Sequence, residues 1–235
     1  MMERRFSIQV QPDDTACGPT CLQAVYAFYG DELTLARLVK EIPRVRGGGT
    51  LAVFLATHAL ERGYQATLYT YNLHLFDPTW FHPPVPDLTR RLRGQAEAKN
   101  KSRLSVATEA YLRFLELGGR LRFEDLSKQL LRKYLQRGLP VLTGLSSTYL
   151  YHTMREREDD GEDDDLRGKP TGHFVVLCGS EPGGLVRVAD PYLQHPLSDS
   201  PYYTVTMDRA LGAILLGVLT HDANFLIIRP RAKHE

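Results

Sequence analysis

A glutamine, a cysteine six residues later and a helix-compatible run behind it are the first residues that could do chemistry: Gln11 to Leu22 reads QPDDTACGPTCL. Pro19 suits a first helical turn, where a missing N–H costs nothing, and Leu22, Val25, Tyr26 and Tyr29 recur at helical spacing until Gly30 ends the pattern. Cys17 is thereby placed just outside a helix N-terminus. Unpaired backbone N–H groups and the positive end of the helix dipole stabilise a thiolate there, and the thiolate is the nucleophile. An attacked carbonyl next needs donors for its oxyanion, and the Cys17 backbone N–H with the Gln11 side-chain amide would supply two. The plain alternative is that Cys17 is a small buried hydrophobe on a core helix.

A thiol nucleophile needs a base, and the later half of the chain offers one with an acid attached. Gly172 to Gly179, GHFVVLCG, reads as a buried strand that opens with His173. Gly183-Gly184 marks a hairpin turn, and Leu185 to Ala189 is the returning strand, ending at Asp190-Pro191-Tyr192. An antiparallel hairpin sets His173 and Asp190 side by side at one sheet edge. Asp190 would then accept from one imidazole nitrogen and leave the other to the thiol. His152 and His195 compete for the role of base. His152 follows a tyrosine-rich strand end with no acid paired to it through a short hairpin, and His195 falls in a loop after Asp190. A lone strand-start histidine or a lone Asp-Pro is as readily structural, so the argument rests on Gln11, Cys17, His173 and Asp190 occurring together.

The elements that must position these residues follow from periodicity. Phe6 to Val10 reads as a short strand delivering Gln11. Residues 33 to 42 form a helix, Thr50 caps another running to about Arg62, and Tyr64 to Tyr71 is a strand. Residues 77 to 87 carry four prolines and the only tryptophan, an irregular loop. Leu88 to Leu117 reads as two charged helices broken near Lys99 to Ser102, so that about 78 to 118 is a helical insertion. Leu121 to Phe123 is a short strand, Glu124 to Gln136 a helix, and Leu139 to Ser146 a buried apolar strand. Residues 155 to 169, REREDDGEDDDLRGK, are read as a flexible acidic loop. Tyr202 to Thr206, Met207 to Leu216 and Asn224 to Ile228 complete the chain as strand, helix and strand, before a frayed RPRAKHE tail.

Composition removes other classes of function. In 235 residues, 43% hydrophobic content supports a real core within one domain, 1 to 235. The balance of 29 basic against 28 acidic residues leaves no footprint for nucleic acid. Three cysteines do not make a disulfide framework and point to a reducing compartment. There is no leader-like apolar segment at the N-terminus and no run near the roughly 20 residues of a membrane helix, so a cytoplasmic protein is expected. Gly47 to Gly49 lacks the Lys and Ser/Thr of a phosphate-binding loop and is read as a hinge, or else a loop that lets backbone approach a bound ligand, and the acidic loop lacks the ligand order of a calcium site. No metal or cofactor is expected.

Taken together, Gln11, CGPTCL from Cys17, GHFVVL from Gly172 and ADPY from Ala189 resemble the peptidase C39 family of papain-like cysteine peptidases. These are best known for trimming double-glycine leader peptides from bacteriocin precursors. The resemblance covers about residues 5 to 70 and 139 to 192. It implies Cys17 as nucleophile, His173 as general base and acid, Asp190 as orienting residue and Gln11 as oxyanion donor, with Gly18 and Gly172 in contact with a peptide or protein substrate. It also implies an α+β, papain-like fold whose N-terminal helical part packs on an antiparallel sheet. With no membrane span and no Walker motif, the expectation is a free-standing peptidase rather than an exporter domain. An acyltransferase or amidase using the same triad, and a peptide-binding module without turnover, are the competing readings.

Overall fold

Apolar strands that are buried on both faces govern the architecture. The computed structural model describes residues 6–45, 49–99, 102–217 and 223–231. Its strands are β1 (Tyr64–Thr70), β2 (Arg120–Arg122), β3 (Val141–Ser146), β4 (Gly172–Glu181), β5 (Leu185–Ala189), β6 (Tyr202–Thr206) and β7 (Asn224–Pro230). They form one sheet in the order β2-β1-β7-β3-β4-β5-β6. Every neighbouring pair is antiparallel except β1 with β2. The sheet is thus antiparallel, as expected, except at its β2 edge. The reason for the exception is the connection: the helices α4 (Leu88–Lys99) and α5 (Ser102–Glu116) lie between the two strands, and a helical crossover returns the chain in its original direction.

Helices cover both faces of the sheet. On one side α1 (Cys17–Phe28), α2 (Leu35–Glu41), α3 (Ala52–Glu61) and α5 bury Leu22, Leu38, Leu55 and Phe114 with Leu68, Leu142, Phe174, Val176 and Leu226. On the other, α6 (Lys128–Leu135), α7 (Ser147–Tyr151) and α8 (Met207–Leu216) bury Leu131, Leu150 and Ile214 with Leu145, Val175, Leu177 and Phe225. Neighbouring residues of β4 thus enter opposite cores, as the pleat requires. The N-terminal helical part does pack on the sheet, and a second helical layer closes the reverse face. The unbroken burial of VLTGLS in β3 follows from having helices on both sides.

Several local expectations change. Phe6 to Val10 is an extended strap outside the sheet, held by a side chain instead of a ladder. The Ile8 N–H donates to the Tyr202 hydroxyl at 3.1 Å, and that hydroxyl donates to the Phe6 carbonyl at 3.2 Å. Thr50 does not cap α3, because its hydroxyl is spent on the Pro43 carbonyl at 2.8 Å. Helix α6 starts four residues later than its apolar pattern suggests, at the point where the Ser127 side chain accepts from the Leu130 N–H. His152 ends a short helix, α7, rather than a strand. Gly47 and Gly48 of the expected hinge, the α4–α5 break at 100–101 and the tail from 232 lie outside the described residues. Residues 155 to 169 fold back on themselves, with Glu156 and Lys169 exchanging backbone hydrogen bonds of 3.1 and 2.8 Å. Among the described residues, no helix is long and apolar enough to cross a membrane.

Candidate active site

The cysteine arrives on a helix locked to the strand that carries the histidine. Cys17 is the first residue of α1. One turn deeper, the fully buried Cys21 thiol donates to the Phe174 carbonyl at 3.3 Å, tying α1 to β4 next to His173. Gly18 permits this approach, since a Cβ there would lie 2.5 Å from Thr50 Cγ2 and 3.4 Å from Phe174 Cδ2. Packing therefore accounts for this buried glycine. Gly172 is exposed and immediately precedes His173, opposite Ser146 on β3.

The β4–β5 hairpin brings in the acid. Pairing of Val176 with Ala189 leaves Asp190 just past the end of β5, diagonally across from His173, and the side chains bridge the offset. His173 Nε2 lies 2.8 Å from Asp190 Oδ1. The same oxygen accepts from the Tyr192 N–H at 2.9 Å, while Oδ2 accepts from the Tyr151 and Tyr203 hydroxyls, each at 2.7 Å. Asp190 is fully buried and the His173 side chain is 9% exposed. With Nε2 committed to Asp190, Nδ1 is the ring nitrogen left for Cys17, whose side chain acts on the His173 ring electrostatically.

These contacts fix the charge states. Burial disfavours the His173 imidazolium, but the charge and hydrogen bond of Asp190, helped by the Cys17 side chain, outweigh it and push its pKa up to about 10. Burial likewise works against the Asp190 carboxylate. The His173 charge and the hydrogen bonds from His173, Tyr203 and the Tyr192 N–H win, and hold it below the usual carboxylate value. Tyr151 and Tyr203 are driven the other way, first by burial and then by the charge of Asp190, so both stay neutral donors.

Gln11 is brought beside this pair through its backbone, its N–H donating to the Pro191 carbonyl at 2.9 Å. Its side-chain Oε1 is buried and has no hydrogen-bond partner among the described residues. The competing histidines are placed elsewhere. His152 is exposed in the left-handed region, φ 58°, with Nε2 2.8 Å from Arg209 Nη1. His195 is buried against Tyr203, ring centroids 4.6 Å apart, and its Nδ1 accepts from the Leu197 N–H at 3.3 Å. The acidic loop does approach the site. The Tyr192 ring stands edge-on to His173 at 6.1 Å, and Asp14, Glu156 and Asp163 add to burial in raising the Tyr192 pKa.

Tyr151, Tyr192 and Tyr203 are neighbours of Asp190 and His173 that sequence reasoning missed. The available signal was Tyr203 at an inward position of YYTVT, on the strand beside the one that leads into Asp190. Two open cavities, of about 520 Å³ beside Trp80 and α4 and about 600 Å³ between α7, β6 and α8, include neither Cys17 nor His173.

A family profile described as the Peptidase_C39 like family matches residues 3–207. The chain belongs to that family. Among solved structures it is similar to one described as a C39-like peptidase of Bacillus anthracis, at 14% identity and a TM-score of 0.51, over 98% of this chain and 97% of that one. It is also similar to the peptidase domain of Streptococcus ComA, a bi-functional ABC transporter of a quorum-sensing pathway, at 13% identity and TM-score 0.45 over 97% and 100% of the two chains. A third is a double-glycine motif protease from an AMS/PCAT transporter in complex with a leader peptide, at 13% identity and TM-score 0.46 over 97% and 94%. No curated protein matches the sequence. The family and the Bacillus structure establish the α+β, papain-like fold of C39 peptidase domains for this chain.

Proposed function

We propose that the protein is a cysteine peptidase in which Cys17 is the nucleophile, His173 the proton carrier, Asp190 the residue that orients it and Gln11 the oxyanion donor. The observation that carries this reading is the buried Asp190 carboxylate bonded to the His173 ring at 2.8 Å, with the Cys17 side chain, at a helix N-terminus, close enough to act on that ring. For the attack His173 holds the Cys17 proton on Nδ1, so that a thiolate faces an imidazolium. The sulfur attacks a peptide carbonyl carbon, and the oxyanion takes hydrogen bonds from the Cys17 N–H and the Gln11 amide. His173 gives its Nδ1 proton to the departing amine as the C–N bond breaks, leaving a thioester. Water then adds to the thioester while His173 accepts its proton, and the acid and the Cys17 thiolate are released. Asp190 keeps Nε2–H directed at itself throughout, so Nδ1 always faces the reaction.

The substrate is a peptide or protein chain, and Gly172 at the exposed start of β4 is where its backbone would run beside His173. The loop 155–169, whose Glu156 and Asp163 act on Tyr192 beside His173, would shape the approach to the site. The test is mass-spectrometric profiling of cleavage against a peptide library that includes Gly-Gly sequences. Wild-type protein should cleave, Cys17→Ala should not, and both should give the same circular dichroism. Failure of iodoacetamide to label Cys17 in the folded protein would sink the assignment. Capture of the acyl group by an added amine in preference to water would make it an acyltransferase, and tight binding without cleavage would make it a binding module.

A further inference from the structure

The carboxylate oxygen that His173 does not use is closed off by two phenols from separate parts of the chain. Tyr151 ends α7 and Tyr203 lies on β6, and both hydroxyls donate to Asp190 Oδ2 at 2.7 Å. We propose that Tyr151 and Tyr203 are positioning residues that set how tightly Asp190 holds the His173 imidazolium, and so how readily His173 yields its proton to a leaving amine. The inference rests on reading His173 and Asp190 as the catalytic pair.

A buried carboxylate whose only partner is an imidazolium concentrates its charge on that partner. Each short O–H···O⁻ bond draws negative charge away from the oxygen facing His173 and weakens its pull on the proton. General acid catalysis is most effective when the acid's affinity for its proton is near that of the surroundings, so a less basic Asp190 makes His173 a better donor. The phenols also fix the carboxylate's rotation, because two donors on Oδ2 leave Oδ1 aimed at Nε2. The two rings are themselves braced. His195 packs against Tyr203 at 4.6 Å and Tyr151 at 5.9 Å, is buried, and its Nε2 has no hydrogen-bond partner among the described residues. The other titratable groups facing the pair are Cys17 and Cys21 from α1 and Tyr192 from the segment after β5, with Asp14, Glu156 and Asp163 behind Tyr192. None of these donates a side-chain hydrogen bond to Oδ2, which leaves the two phenols as the adjustable contacts.

The experiment is NMR of protein labelled with ¹⁵N-histidine, with the His173 signals assigned by their loss in His173→Asn. In Tyr203→Phe and in Tyr151→Phe the low-field His173 Nε2 proton at neutral pH should move further downfield. The pH at which the ring loses its proton should rise by about half to one unit in each. Tyr202→Phe removes a phenol that bonds only the N-terminal strap, and its spectrum should match wild type. Should one Phe variant fail to fold, the other bears the second bond to the same oxygen and tests the idea alone. An unmoved or upfield-shifted resonance in a folded Phe variant would overturn the proposal, whereas a purely structural role would lower thermal stability without moving it. The peptidase reading fails separately: the shift with no peptide hydrolysis by wild type removes that reading alone, and hydrolysis with an unmoved resonance removes this one alone.

Discussion

Raising the pH from 6.5 to 9 should loosen the fold chiefly through one group. His173 binds its proton more tightly in the folded chain than in the unfolded one. Burial opposes this and the charge and hydrogen bond of Asp190 override it, taking the pKa from an ordinary 6.5 to about 10. Its stabilising contribution is therefore complete below 6.5 and is lost as the pH rises toward about 10. Over that interval the folded state carries one more proton than the unfolded state, so stability falls by up to about 1.4 kcal/mol per pH unit, or about 3 kcal/mol from 6.5 to 9. Asp190 acts on the other side of neutrality: its lowered pKa adds stability above 3.8 that disappears as the medium becomes more acidic. Cys21 and Cys178, raised from 9.0 mainly by burial, begin to add to the loss only in the last unit of the interval, and the buried tyrosines, raised from 10.0, only above it. Urea unfolding at half-unit steps of pH, with the slope m checked for constancy, measures the effect. Between pH 6.5 and 8 the decline should be present in wild type and absent in His173→Gln, and Asp190→Asn should flatten it too by removing the charge that raises the histidine. An equal decline in wild type and His173→Gln would refute the ion pair.

Two further outcomes test the scaffold around the site. Gly18→Ala should lower stability by about 1–3 kcal/mol, because the added Cβ falls 2.5 Å from Thr50 Cγ2 in a closely packed core. Adding Thr50→Ser, which removes that methyl and keeps the hydroxyl bonded to Pro43, should recover most of the loss in urea unfolding. Leu92 is the one buried side chain of α4 among the described residues and has no exposed surface. Leu92→Ala should cost about 2–4 kcal/mol, and limited proteolysis should cut the α4–α5 pair sooner than in wild type.

How much of this was legible in the chain depended on whether the signal was local. Cys17 at a helix start, and the helices over 88–99, 102–116 and 207–216, follow from spacing within a dozen residues, and the structure has them there. The β4–β5 hairpin is also local, with Gly183 and Gly184 both at positive φ in its turn, so the proximity of His173 and Asp190 could be read from one short segment. Failures came where a distant partner decided. Phe6 to Val10 has strand-like alternation, but the phenol of Tyr202, about 196 residues away, takes its backbone groups. Thr50 has the residue type of a cap, yet the Pro43 carbonyl claims its hydroxyl. The parallel β1–β2 pair depends on a helical crossover whose direction no strand pattern records.

The same distinction explains why the surroundings of Asp190 stayed hidden while Asp190 itself did not. An acid after a hairpin announces its histidine, because the turn sets the register. Nothing of the kind links Tyr151 to Tyr203, which sit on a five-residue helix and an edge-side strand and look like ordinary aromatic core residues in sequence. What betrays them is an accounting requirement. A carboxylate with no solvent exposure must find donors for both oxygens, and His173 and the Tyr192 N–H supply only one of the two. Once the hairpin places Asp190 in the core, at least one hydroxyl or amide must come to Oδ2 from elsewhere in the chain. A strand neighbour with an inward tyrosine is the simplest source, and β6 provides it. A predicted buried acid should therefore be read as a demand for unassigned donors, to be sought on the strand next to it.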